Sequence, residues 1–302
     1  MKPYLLSLLC IALTASVLPA QKAQIDEEGL AILKEMEDTL SFLSYTVIND
    51  SVQENRFKAC RAMIPRLVKA LKVEHSFDYP FDRLSSVSIQ YPQDSSFRVF
   101  TWQLYVDENT YRYYGAIQLN EPQLKLFPLR DRSDGLRNPE QQQLSPEQWY
   151  GAVYYNILQG DGHYLLFGFD GYELFRKRKV IDVLWFDDEG QPHLGAPVFV
   201  HEGNKRKHRI VREYTAAAST KLNYDENLEM IIFDHLIPRE GTYGEGLTFY
   251  PDGSYEGYEP GPDGAWMHVD KVFNQVSEEP PRPKPILDGD DKKDIFGRDR
   301  NR

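Results

Sequence analysis

In Phe97-Arg98-Val99-Phe100-Thr101-Trp102-Gln103-Leu104-Tyr105-Val106, the row Phe97, Val99, Thr101 alternates with the row Arg98, Phe100, Trp102. A period of two belongs to a β-strand. A turn-like triplet, Asp107-Glu108-Asn109, leads into a second aromatic run, Tyr111-Arg112-Tyr113-Tyr114-Gly115-Ala116-Ile117. Two such runs joined by a short polar link read as a hairpin. The same period holds from Leu84 onward. Further strand candidates are Gln123–Leu129, Tyr150–Leu158, Tyr164–Phe169, Lys179–Phe186, Val198–His201, Arg209–Tyr214, Lys221–Tyr224 and Glu229–His235, with weaker ones at Leu247–Tyr250, Ser254–Tyr258 and Trp266–Val269.

Asp161-Gly162, Asp170-Gly171, Glu189-Gly190, Asp252-Gly253 and Asp263-Gly264 punctuate these runs, and such dipeptides favour tight turns. No amphipathic helix intervenes between the strands, so antiparallel meanders are expected in place of βαβ units. Ser145-Pro146 begins a single helical turn, with Ser as cap and Pro in the first position. The fold class expected is α+β, mainly antiparallel β. A helical segment over 21–75 precedes a β-meander body over 76–276, and length alone leaves open one large β domain or two smaller ones.

The helical segment carries two 3–4-spaced lines, Leu30, Leu33, Glu37, Leu40, Ser44 and the more apolar Leu33, Met36, Leu40, Leu43, Val47. Asp26, Glu27 and Glu28 suit the positive end of the helix dipole. After Asn49-Asp50, Ser51-Val52-Gln53-Glu54 has the form of a capping box for a second helix, which Pro65 should kink or split. Cys60 falls on the inward stripe of that helix with Phe57, Ile64, Leu67 and Leu71, so it is expected to be a buried structural thiol.

Leu5 to Leu18 is an apolar run behind one basic residue, Lys2, and ends at Leu18-Pro19-Ala20. It is shorter than the ~20 residues that span a bilayer, and 1–20 reads as a signal peptide cleaved after Ala20. Leu9 before Cys10 argues against a lipoprotein signal. Cleavage leaves Cys60 alone, so the mature chain has no internal disulfide; a bacterial periplasmic or secreted protein fits this better than an animal one. No later stretch is apolar enough for a transmembrane segment. The net charge of −11 argues against nucleic acid or an anionic membrane as partner. Pro280-Pro281-Arg282-Pro283-Lys284-Pro285 and the mixed charges after it read as a disordered tail over 277–302.

Three stretches resemble a family of exported, uncharacterised proteins of Bacteroidota. They are Trp149 to Ile157 with Tyr164 to Gly171; Arg178 to Leu184 with Gly195 to Phe199; and Leu222 to Glu226 through Ile231 to Leu236, closing on Pro251 to Tyr258. The match spans about Phe97 to Gln275. It implies a lineage and a compartment, and carries no activity with it. Asp50-Ser51-Val52 and Asp38-Thr39-Leu40 are similar to the Asp-Ser/Thr-aliphatic sequence at which such organisms O-glycosylate exported proteins.

Conventional catalytic and cofactor signatures are absent. His201-Glu202 opens like a zinc-protease motif, but Lys205 stands where the second histidine is needed. Neither a nucleophile elbow nor a phosphate-binding glycine loop occurs, and Asp187-Asp188-Glu189-Gly190 lacks the alternating ligands of an EF-hand. No metal or cofactor is therefore expected, and the catalytic residues are unknown.

The polar groups to watch are Asp182, alternating with Val180, Leu184 and Phe186, and the pair Asp234-His235. A carboxylate on an apolar strand face must be paired or hydrogen-bonded, or its pKa rises as a general acid requires. Two such carboxylates ~5–10 Å apart in a cleft would mark a hydrolase. The basic clusters Arg176–Lys179 and Lys205–Arg209 read as solvated hairpin tips that would bind an anionic glycan or phosphate only if they met. The expected function is a non-catalytic, exported β-rich protein of the periplasm or envelope, binding an envelope protein or glycan. The alternative is a hydrolase of envelope or external polymers using Asp182, Asp234 or His235.

Overall fold

A computed structural model of the chain describes residues 24–241 and 246–272. The signal peptide at 1–20 and the tail at 277–302 lie outside the described residues. The helix α1 (Glu27–Asn49) begins at Asp26, whose Oδ1 accepts the Gly29 N–H at 2.7 Å. Its most buried line runs through Leu33, Glu37, Leu40, Ser44 and Val47, so a carboxylate sits on the inward face. Glu37 is satisfied there by the Tyr79 hydroxyl at 2.5 Å and the Arg83 N–H at 2.9 Å.

The helix α2 (Gln53–Leu71) is not capped by Ser51: Val52 is its cap residue, and no side chain closes it. The expected capping box gives way to two stronger local demands. Asp50 Oδ1 accepts the Val52 N–H at 2.8 Å, and the Arg56 guanidinium takes the carbonyls of Asp50 and Ser51 at 2.8 and 3.2 Å. Pro65 lies inside a helix that continues through it, so the expected split does not occur.

The strands form three sheets. The first has the order β1 (Ser88–Gln90), β2 (Phe97–Asp107), β3 (Thr110–Leu119), β4 (Leu126–Arg130). The second has the path β11 (Ile210–Thr215), β7 (Arg176–Phe186), β6 (Tyr164–Asp170), β5 (Val153–Gln159), with β8 (Pro192–Leu194) also paired to β7. The third runs β10 (Lys205–Lys207), β9 (Phe199–His201), β15 (Trp266–Val269), β14 (Leu247–Pro260), β13 (Met230–Glu240), β12 (Leu222–Asp225). Among the described strand pairs, β15 and β9 alone run parallel; the others are antiparallel.

Four layers result. The helices pack through Leu33, Leu40, Met63 and Leu67 on Phe100, Trp102 and Leu104 of the first sheet. The other face of that sheet, with Phe97, Val99 and Ile117, packs on Tyr154, Leu166, Val180 and Leu184 of the second. The far face of the second sheet, with Leu165, Phe167, Ile181 and Val183, packs on Phe199, Phe233, Tyr258 and Trp266 of the third. A strand covered on both sides needs large side chains in both rows, which is why β2 reads as two interleaved aromatic series.

Leu247–Tyr250 and Ser254–Tyr258 are not separate strands but parts of β14. Asp234 pairs with Tyr255 and Leu236 with Pro251, so Asp252, Gly253 and Ser254 oppose the single residue His235. Here Asp-Gly makes a bulge and not a chain reversal: Asp252 Oδ1 accepts the Ser254 N–H at 2.9 Å, and Gly253 takes φ +89°.

Candidate functional site

Asp182, in the middle of β7, and Arg209 are both 0% exposed. Arg209 Nε donates to Asp182 Oδ1 at 3.0 Å; Nη2 is equally near the same oxygen but lacks the alignment of a second hydrogen bond. Nη1 donates to the carbonyls of Pro139 at 2.6 Å and Gln142 at 3.1 Å. The carboxylate also accepts the Val183 N–H at 2.9 Å and the Tyr154 hydroxyl at 3.2 Å. Closed to solvent, Asp182 has no route to a substrate.

Asp234 accepts the Lys221 N–H at 2.5 Å and so clips β12 to β13. His235 Nδ1 lies 2.9 Å from Asp252 Oδ2 across the bulge. The three residues therefore do not share a cleft: Asp182 faces the core between the first two sheets, and the other two belong to the third.

The basic clusters do not meet either. Antiparallel pairing sets Arg176–Lys179 opposite Arg212–Thr215, while Lys205–Lys207 edges the third sheet. Two members of each cluster are ion-paired in place. Arg176 and Arg178 pair with Glu213 at 3.0 and 2.8 Å, Lys207 pairs with Glu140 at 2.8 Å, and Arg209 serves Asp182. Asp187 organises its own turn, accepting the N–H groups of Glu189 and Gln191. Ser51 and Thr39 are exposed, and Cys60 is buried.

A different place gathers unused groups. Tyr114 pairs with Arg130 across β3 and β4, so both side chains share a face with Arg112, two residues along. Arg112, Arg130 and Arg132 line a hollow of about 560 Å³ together with Tyr114, Asp131 and Asp134. All three arginines are exposed, and among the described residues no hydrogen bond or ion pair engages their guanidinium groups. Asp131, by contrast, is occupied. Its Oδ2 accepts the Tyr113 N–H at 3.0 Å, and its Oδ1 accepts the N–H and hydroxyl of Ser133 at 3.0 and 2.6 Å. Gly151 permits this approach, since a Cβ there would lie 2.6 Å from the Asp131 carboxyl.

Two more hollows adjoin the first around Ser133. One, of about 400 Å³, is walled by Tyr111, Asp170, Tyr172, Glu173 and Arg178; the other, of about 490 Å³, by Leu136, Pro139, Tyr150 and Glu213. Asp170 is 3% exposed. Its Oδ1 accepts the Tyr113 hydroxyl and the Tyr172 N–H, each at 2.9 Å, and its Oδ2 accepts the Tyr150 hydroxyl at 3.0 Å. Burial pushes this carboxyl above the ordinary range against those bonds. Tyr172 is held at φ +45°, a strained backbone for a ring-bearing residue, with the Arg178 guanidinium 3.2 Å from its ring centre.

No family model matches the chain, and no curated protein matches it. The chemistry of the cleft must then be taken from its own groups. Asp170 has the raised pKa of a general acid but is nearly closed to solvent, with both oxygens committed. The arginines are free and face open space. The open charged groups of the hollow are thus the three arginines and the exposed Asp134, while Asp131 and Asp170 are held by hydrogen bonds. Sequence reasoning passed over Arg112, Arg130 and Arg132 because they come from two strands and a loop. Two signals were present: the triplet Arg130-Asp131-Arg132, and Arg112 sharing a strand face with Tyr114.

His201 is engaged within the third sheet. Its ring stacks on His268 with centres 4.7 Å apart, and its Nε2 is 2.8 Å from the Tyr258 hydroxyl. Among the described residues no group of three or more His, Cys, Asp or Glu is placed to hold a metal ion. Burial, then Lys207 and His268, push His201 down to about 4, with Arg212 adding to the effect and Glu256 opposing it. A histidine kept neutral in the fold but free to protonate near 6.5 when unfolded supports stability above pH 6.5. That support is lost as pH falls from 6.5 towards 4. Chemical denaturation at pH 7 and pH 4.5 should show a loss for the parent that is smaller in His201→Gln by roughly 1–2 kcal/mol. Equal losses would show that His201 takes up its proton as readily in the fold as outside it.

Proposed function

We propose that this is an exported, non-catalytic binding protein of the periplasm or cell envelope, which holds its ligand in the cleft around Ser133. The observation that carries the proposal is the contrast within that cleft. The carboxylates Asp131 and Asp170 are occupied by hydrogen bonds, while the three arginines are unengaged. The apolar run ending at Ala20 and the resemblance to exported Bacteroidota proteins support the compartment. A hydrolase using Asp182, Asp234 or His235 gains no support, since the first is sealed and the others tie strands together.

The test pairs binding with turnover. NMR titration with mixed envelope polymers, digested to soluble fragments, should shift the backbone N–H signals of Ser133 and Gly151. Chromatography of the same mixtures should show no new reducing ends or amino termini after prolonged incubation. Products that form with the parent and disappear in Asp170→Asn would replace the binding role with an enzymatic one. A titration that moves neither signal would remove the cleft from consideration.

A further inference from the structure

Resting on the binding role of this cleft, we infer that its ligand is an oligosaccharide with one acidic unit, the carboxylate held by Arg112, Arg130 and Arg132 and neutral sugar units extending over the adjoining hollows. The charges lining the hollows set this pattern. In the first, three guanidinium groups face the carboxylates of Asp131 and Asp134. Asp131 is turned into its own hydrogen bonds. The balance favours a single anionic group, which a guanidinium fork binds through two parallel hydrogen bonds.

The second and third hollows have no such set of free cations. Asp131, Asp134, Asp170 and Glu173 line the second with one arginine, Arg178, and the third adds Glu140 and Glu213; Glu173 is paired with Arg176, Glu213 with Arg176 and Arg178, and Glu140 with Lys207. Arg178 is already committed, with Nε and Nη2 on Glu213 at 3.0 and 2.8 Å. A polyanion such as a nucleic acid or polyphosphate would bring repeated negative charge into hollows whose one arginine is already committed and where Asp134 adds an exposed carboxylate. The rest of the ligand must therefore be uncharged and polar.

The walls fit hydroxyl-bearing rings. Tyr111 and Tyr172 are half-buried in the second hollow, whereas Tyr150, beside the third, is 1% exposed and serves Asp170. An aromatic body with a polar rim covers the C–H face of a sugar while an exposed carboxylate such as Asp134 accepts from its hydroxyls. The strained Tyr172 backbone is fixed by Asp170 and its ring by Arg178, so this wall is preorganised. A peptide ligand would need apolar pockets for alternate side chains, and Leu129, Leu136, Pro139 and Val211 are the few apolar residues among the three linings.

Calorimetry and NMR with four probes test the assignment: a xylotriose carrying one glucuronate, unmodified xylotriose, free glucuronate, and a tetrapeptide with one glutamate. The glucuronate-bearing xylotriose should bind at least tenfold more tightly than xylotriose or glucuronate alone. Arg130→Ala with Arg132→Ala should reduce that affinity at least tenfold while leaving the melting temperature unchanged, since both side chains are exposed. If free glucuronate binds as tightly as the conjugate, the oligosaccharide assignment is wrong although the cleft remains an anion-binding site. Tighter binding of the peptide would replace the sugar with a protein ligand in the same cleft. If no probe shifts Ser133 or Gly151 while the envelope fragments do, the ligand class inferred here fails and the binding role stands; if neither set shifts them, both fail.

Discussion

Asp182→Asn should destabilise the protein by about 3–5 kcal/mol, because it strands Arg209 as an uncompensated charge in the interior. The amide can keep one oxygen towards Arg209 and Val183 N. Its NH2 must then face the Tyr154 hydroxyl, which already accepts the Trp149 indole N–H at 2.7 Å. That hydroxyl would meet two donors and have nowhere to give its own proton. For a body of this size the loss corresponds to a fall in melting temperature of roughly 6–20 °C. The damage should also reach the cleft, since Arg209 holds the carbonyls of Pro139 and Gln142, and Pro139 walls the third hollow.

A double-mutant cycle makes the interpretation specific. Asp182→Leu with Arg209→Met removes both charges and fills similar volume, which is often neutral or stabilising for a buried pair. The orphaned carbonyls of Pro139 and Gln142 limit the recovery here. The double variant should nevertheless be more stable than either single variant in denaturant titrations. Purely additive losses, or an Asp182→Asn protein as stable as the parent, would show that the pair is not a coupled interior contact.

The strands were legible where local pattern carried the information. β2 and β3 could be read from alternation and a polar link because both faces of β2 are buried and the hairpin is local. Asp182 was rightly placed on the side of Val180 and Leu184, since a regular strand fixes that parity. Its partner Arg209 could not be read, because their meeting depends on the pairing of β11 with β7 and on the approach of the Pro139 loop. Asp252-Gly253 misled for a related reason: the dipeptide allows both a reversal and a bulge, and β13 chooses between them. Ser51 failed as a cap because Arg56 draws the two preceding carbonyls towards β2, where it also binds the Tyr105 carbonyl. The cleft was the least legible part. Its arginines acquire meaning only when β3, β4 and the Ser133 turn are brought together, and each alone looks like an ordinary surface residue.

Arg98 should prove nearly as costly to replace as Asp182, although the hydrogen bonds it donates go to an amide, two carbonyls and a hydroxyl. It is wholly buried on the helix-facing side of β2. Nε donates to Gln118 Oε1 at 2.8 Å, Nη1 to the Tyr79 carbonyl at 2.7 Å and the Tyr91 hydroxyl at 2.8 Å, and Nη2 to the Ser76 carbonyl at 2.9 Å. Phe100 and Phe81 lie against the guanidinium at 4.7 and 5.3 Å from their ring centres. Ser76 and Gln118 continue the network, and Ser76 Oγ donates to the Leu71 carbonyl at the end of α2 at 2.7 Å. One side chain thus fastens the helical layer and the Ser76–Tyr91 segment to the first sheet.

Arg98→Met fills the volume but orphans buried acceptors at ~1–3 kcal/mol each, partly offset by relieving a buried charge. A net loss of about 3 kcal/mol is expected on that basis. Arg98→Lys separates charge from geometry: it keeps the cation but cannot span the Ser76 and Tyr79 carbonyls and Gln118 together, so it should fall by a similar amount. Hydrogen exchange should report faster opening of the amides of Ser76 and Tyr79, bonded to the Val73 and Ser76 carbonyls, while strand amides of the third sheet keep their protection. An Arg98→Lys protein with parental stability would show that charge against the aromatic rings, and not the forked hydrogen bonding, is what holds the two layers together.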